Sequence, residues 1–184
     1  MFTKILKVLF VTTCLVLLFY ISLPNFTFPK PLPDSLQSTE PADLETPLRR
    51  GYFTNYTRAQ VISWYESQFD HSSFLNIKLP TLLLNYPPED AQTLIRDQTS
   101  STFLQELVHP LRESIYINGF EPPSYDNKPV FNVGGKYWRQ KIIIKMVPTS
   151  IFVRIAVFGA EVFCMVVLFK GFRETFIQLW HKKK

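Results

Sequence analysis

Two long apolar runs occupy the ends of the chain, and a mixed pattern of shorter period lies between them. The first run, Val8 to Leu23, reads VLFVTTCLVLLFYISL behind a start that carries Lys4 and Lys7. Counted from Ile5 it offers about 19 residues, enough for a helix across a hydrocarbon core of about 30 Å. A cleaved signal peptide is the rival reading. The run is longer than the usual apolar region of roughly 7–15 residues, and no small-residue cleavage site follows it. Phe19, Tyr20, Pro24 and Phe26 stand where small residues would be needed. It reads as an uncleaved signal anchor. The second run, Ser150 to Phe169, reads SIFVRIAVFGAEVFCMVVLF behind Pro148. Proline can open a helix there, because the N–H it lacks has no partner in a first turn.

Between the runs the pattern changes twice. Pro24 to Arg50 carries Pro24, Pro29, Pro31, Pro33, Pro41 and Pro47, with little to bury, and predicts an extended stalk, a tight coat wrapped over the domain being the less favoured alternative. From Gly51 on, Thr57-x-x-Gln60 fits a capping box, and Val61, Ile62, Tyr65 and Phe69 come next at helical spacing. Leu79 to Tyr86 predicts a strand. Pro87-Pro88-Glu89-Asp90 predicts the opening of a second helix, with proline first and acids in the first turn. Phe103, Leu104, Leu107, Val108 and Leu111 mark a third helical stripe, ended near Pro110. Ile115 and Ile117 alternate before Asn118-Gly119, a turn signal. Val130 to Val133, Gly134-Gly135 and Lys136 to Met146 predict a hairpin. In its second arm Trp138, Ile142, Ile144 and Met146 share a face opposite Arg139, Lys141 and Lys145, as in a half-buried strand.

The fold class expected is a membrane protein with two transmembrane helices, N- and C-terminal, flanking an α+β extracytoplasmic domain with a C-terminal β-hairpin. Its parts are a cytoplasmic N-terminus (1–7), a transmembrane helix (8–23), a Pro-rich stalk (24–50), the domain (51–147), a second transmembrane helix (148–170) and a basic amphipathic cytoplasmic tail (171–184).

Charge adds the orientation. The net charge is +5, yet residues 24–147 hold 12 basic and 13 acidic residues. The excess therefore sits on the ends, at Lys4 and Lys7 and at Lys170, Arg173, Lys182, Lys183 and Lys184. The positive-inside rule then puts both termini in the cytoplasm of a plasma or inner membrane. The same distribution argues against nucleic acid as a partner, which calls for a basic patch on a folded domain. Cys14 and Cys164 both lie in the apolar runs, so no disulfide staples the middle. Asn25-Phe26-Thr27 and Asn55-Tyr56-Thr57 match glycosylation acceptors, which matter only on a eukaryotic secretory route.

Candidate chemistry concentrates in the second run. Glu161 stands near its centre, where an ionised carboxylate costs roughly 2.5–3.5 kcal/mol. By depth, Thr12 and Thr13 come nearly level with it, so a glutamate hydrogen-bonded to their hydroxyls is the packing expectation. A polar group of a partner subunit and an ion path are the other two. Arg154 is expected to snorkel to the outer interface. Ala156, Ala160 and Cys164, with Gly159 beside them, form a small-residue face suited to helix packing. Phe172, Phe176 and Trp180, with Lys182, Lys183 and Lys184, suit a helix lying at the membrane interface.

Enzyme signals are thin. Glu106-Leu-Val-His109 has a metal-site spacing without the further carboxylates such sites need, so His109 to Glu113 reads as a helix end with solvated charges. Asp70-His71-Ser72-Ser73 sets triad residue types side by side, whereas triads converge from distant positions. No phosphate loop, paired-cysteine motif or nucleophile elbow occurs, and no cofactor or metal is expected. The expectation is a non-catalytic accessory or scaffold subunit of a membrane complex. Its partners would be the lipid bilayer and either other membrane subunits or further copies of itself. The alternative is a self-assembling channel or transport component with Glu161 lining a polar path. The layout is similar to that of polysaccharide chain-length regulators in topology alone, and the proline-rich run those proteins carry beside the second span is not evident here.

Overall fold

The structure is a computed structural model that describes the backbone of residues 2–72, 74–96, 100–121 and 131–182, and the side chains of those between 4 and 175. In chain order its elements are α1 (Phe2–Ser22), β1 (Leu36–Gln37), β2 (Arg49–Thr54), α2 (Arg58–Phe69), β3 (Leu82–Tyr86), β4 (Phe103–Val108), β5 (Ser114–Phe120), β6 (Phe131–Val133), β7 (Lys136–Trp138), β8 (Gln140–Val147) and α3 (Ile151–Lys182). They form two compact units, Met1–Leu23 with Thr149–Lys184, and Pro24–Pro148.

In the helical unit α1 packs on α3. Both are long and apolar enough to cross a membrane, over Lys4–Ser22 and Ile151–Thr175. Their mutual contact is narrow. Ile151, Arg154, Phe158 and Val162 are the half-buried or buried positions along the first turns of α3. On α1 they are Cys14, Leu18 and Ile21, with Tyr20 beside them. That spacing is one helical stripe on each helix. The tail expected as a separate interfacial helix instead continues α3 to Lys182. Phe172 is exposed, while the side chains of Phe176, Trp180, Lys182, Lys183 and Lys184 lie outside the described residues.

The other unit is built on a 6-stranded antiparallel sheet in the order β1-β2-β8-β5-β4-β3, with β6 and β7 as a separate hairpin. Its main core lies on one face. Tyr52, Phe103, Leu107, Ile115, Ile117, Ile142, Ile144 and Met146 meet Val61, Ile62, Tyr65 and Phe69 of α2. α2 begins at the expected capping box. Gln60 N–H bonds to Thr57 Oγ1, and Gln60 Oε1 accepts from Thr57 N–H at 2.8 Å. The opposite face has a smaller core in which Leu104 and Ile143 meet Ala91 and Ile95.

Three expectations fail here, each for a tertiary reason. Residues 103–108 are strand β4, not helix. Phe103 and Leu107 face the main core while Leu104 faces the smaller one, so burial on both faces imitates a helical stripe. Asn118-Gly119 is no turn but the interior of β5. A Cβ on Gly119 would come within 2.8 Å of the Phe103 ring, so glycine serves close packing there. The Pro-rich stretch does not stand off as a stalk. Leu32 is buried in the main core, the Phe26 ring sits edge-on to Phe69 at 5.2 Å, and β1 pairs with β2. Lys30 N–H donates to Gln68 Oε1, and Lys30 C=O accepts from Trp64 Nε1. Prolines leave few free N–H groups to satisfy, so this coat can pack without pairing as a strand along its length.

The hairpin survives in altered form. Gly134 and Gly135 take φ of 64° and 73°, as a tight two-residue turn requires, and join β6 to β7. The second arm then breaks at Arg139, so that β8 enters the main sheet between β2 and β5. The helix expected after Pro87-Pro88 is reduced to short turns over Pro88–Asp90 and Gln92–Arg96.

Candidate functional site

Besides Asp43, Arg49 and Glu106, which are buried singly, charge withdrawn from water stands out at one place in each unit. In the sheet unit it is the turn between β4 and β5. His109, Arg112 and Glu113 are all buried there, against the expectation of a solvated helix end. Glu113 Oε1 lies 2.9 Å from both His109 Nδ1 and Arg112 Nη2. Burial alone would raise the Glu113 carboxyl, but the hydrogen bonds from His109 and Arg112 and the charge of Arg112 outweigh it and hold the group below its ordinary range. An ionised carboxylate only accepts, so Nδ1 carries the His109 proton. The imidazole lies flat on Phe69, with centroids 3.8 Å apart.

The same cluster receives the beginning of the unit. Arg112 Nη2 donates to Pro24 C=O at 2.8 Å, and Phe26 N–H donates to Glu113 Oε1. A short turn between neighbouring strands thus anchors a segment far earlier in the chain. Leu111, at its exposed tip, has φ of 63°, a region costly for a branched side chain.

The spacing Glu106-x-x-His109 does not form a site. Glu106 is on the opposite face of the sheet, where its Oε2 accepts from Tyr86 Oη at 2.6 Å. That bond, with lesser burial and charge effects, pushes the Tyr86 hydroxyl up to about 12. No group of three metal-ligating side chains occurs among the described residues. Asp70 ends α2, His71 forms a backbone bridge to Lys78, and Ser72 bonds the Phe74 carbonyl, so these do not converge either; Ser73 lies outside the described residues.

In the helical unit the withdrawn charge is Arg154. It is buried, and its guanidinium reaches back to the start of α3 and the end of α1, donating to the carbonyls of Ile21 at 3.2 Å, Leu23 at 3.3 Å and Thr149 at 2.7 Å. The last carbonyls of a helix have no partner within it and carry the negative end of the macrodipole. Arg154 supplies both donors and charge to the end of α1 from its neighbour helix. The sequence marks Arg154 as costly but hides that acceptor set, because it forms only when α1 ends beside it.

Glu161 has no such answer. It is exposed on α3 and has no hydrogen bond or ion pair among the described residues. Thr12 and Thr13 do not reach it; Thr13 Oγ1 donates to Leu9 C=O one turn back at 2.9 Å, the usual helical alternative for a threonine. Ala156, Gly159, Ala160 and Cys164 are likewise exposed, and a Cβ on Gly159 would meet nothing within 4 Å. The small-residue face is therefore not the one that packs on α1.

Comparison of the chain with protein-family models, curated proteins and solved structures gave no match.

Proposed function

We propose that this chain is a two-span membrane protein with both termini in the cytoplasm, serving as a non-catalytic accessory or scaffold subunit of a membrane complex. It binds its partners through the extracytoplasmic sheet unit and α3. The observation that carries this reading is Glu161, exposed and without a partner among the described residues in the middle of an apolar helix. A carboxylate left so in hydrocarbon costs roughly 2.5–3.5 kcal/mol, a cost removed when another subunit brings a polar group to it. The unused small-residue face on the other side of α3 supports the same reading, since small side chains let a second helix approach closely.

The test is purification of the tagged full-length chain in mild detergent, with and without Glu161→Gln. A stoichiometric partner that is lost or weakened in the variant is the expected result, and an unchanged complex would overturn the role of α3. Glu161 lining a water-filled path is the competing reading. It requires the carboxylate to react with a water-soluble carbodiimide in the intact membrane, whereas a packed Glu161 stays unmodified.

A further inference from the structure

One end of the sheet unit is apolar where it meets water. The register sets Val147 of β8 beside Ser114 of β5, Ser114 beside Val108 of β4, and Val108 beside Leu82 of β3. The β4–β5 turn therefore lies at that end, and so does the end of α2, because Phe69 stacks on His109. After Phe69 the chain makes a looped excursion and returns. Leu79 N–H donates to Asp70 C=O, Ser72 N–H donates to Ile77 C=O, and His71 bridges Lys78. On this loop Phe74 and Leu75 are 51% and 65% exposed, with Ile77 exposed as well, and Leu111 on the β4–β5 turn is 64% exposed. Turn tips are ordinarily polar. Leu75 and Leu111 even stand at left-handed φ, 62° and 63°, where glycine or asparagine is the unstrained choice. From His71 to Tyr86 the chain has no acidic residue, and besides His71 its only cation is the exposed Lys78.

Where the chain enters and leaves the unit indicates what covers this surface. It enters at Pro24, whose carbonyl accepts from Arg112 of the β4–β5 turn at 2.8 Å, and it leaves at Pro148, next to Val147. Helices long enough to cross a membrane end at Ser22 and begin at Ile151, within three residues of those prolines. Three residues reach at most about 11 Å, and a headgroup layer is about 5–8 Å deep on each side of the hydrocarbon. We propose that Phe74, Leu75, Ile77 and Leu111 rest in the outer headgroup layer of the bilayer that the two helices span, so that phospholipid holds this end of the sheet unit. The proposal rests on the two-span reading above, and the short tethers at both chain ends are what select lipid over a protein partner. The apolar tips leave water for the acyl boundary, and Lys78 meets lipid phosphate.

The experiment uses the full-length chain in nanodiscs of phosphatidylcholine and phosphatidylglycerol. Leu75→Cys, Leu111→Cys or Asn132→Cys is placed singly in a chain carrying Cys14→Ser and Cys164→Ser, then labelled with a small fluorophore. Asn132 is exposed in β6, where the neighbouring Phe131 ring meets Phe53 and Phe120 at the opposite end of the sheet. Labels at 75 and 111 should be quenched by lipid with a nitroxide at its headgroup and should lose quenching by aqueous iodide. The label at 132 should do the reverse. Both positions are exposed, so the core stays intact, which circular dichroism checks; Phe74→Cys, outside the left-handed positions, repeats the test. Cys164, kept as the sole thiol by Cys14→Ser, should be quenched by a nitroxide deep in the acyl chain. Full iodide quenching at 75 and 111, with Cys164 deep in lipid, would overturn this proposal and leave the two spans standing. Protection from iodide without lipid quenching would overturn it as well, by assigning the patch to protein. Cys164 in water would overturn the two-span reading, and this proposal with it.

Discussion

The sheet unit and the helical unit satisfy their charged groups in different ways. Around Glu113 the partners are side chains, His109 and Arg112, with a main-chain N–H from Phe26. Around Arg154 the acceptors named above are all main-chain carbonyls, two of them at the end of α1. Glu161, in the same helix as Arg154, has neither kind among the described residues. The turn in the sheet unit thus pairs its buried charges internally, while in the apolar run of α3 between residues 150 and 169 one charge is paired and one is open. An open one, in an apolar helix, is the observation on which the proposed partner contact rests.

Breaking the sheet cluster should have the largest effect. Glu113→Leu leaves Arg112 and His109 buried without their acceptor, and removing one member of a buried pair costs about 3–5 kcal/mol. Thermal unfolding of the sheet unit should show it. The pH dependence has a definite sign. Glu113 is held below its ordinary value when folded, so its contribution is complete above the unfolded carboxyl range of about 4.3 and is lost as pH falls through the lower folded value. A wild-type acid limb that is not steeper than that of the variant would contradict the cluster.

Arg154→Leu should cost less, about 1.5–3 kcal/mol for hydrogen bonds to a charged group. The effect should be local. Amide exchange in the last turn of α1 should rise about 10- to 100-fold while the sheet unit is unchanged. Exchange that rises equally in both units would erase the distinction between them. The smallest effect belongs to Thr57→Ala, which removes the α2 cap and should destabilise by about 1 kcal/mol without altering either charged site.

How much of this is legible in the chain depends on how far apart the interacting residues are. The stripe after Thr57, the alternation of Ile142, Ile144 and Met146, and the Gly134-Gly135 turn are local patterns, and each occurs where expected. The candidate sites divide similarly. Arg154 and Glu161 stand out because charge is rare in an apolar run. Arg112 and Glu113 do not, because charges near a proline resemble a solvated helix end. The usable signal is that His109 to Glu113 is flanked on both sides by segments rich in apolar residues, FLQELV and SIYI, so that the turn between them has little room to reach water.

The sequence by itself determined two helices long enough to span a membrane, the start of α2, and the inward face of β8. All of these come from periods of 3.6 or 2 residues and from turn chemistry, which act over a few positions. Tertiary structure alone decided that 103–108 is a strand buried on both faces, that Gly119 makes room for Phe103, that the proline-rich stretch coats the core, and that Arg154 meets the end of α1. Each of those depends on which distant surface arrives beside a residue, and a local period is blind to that.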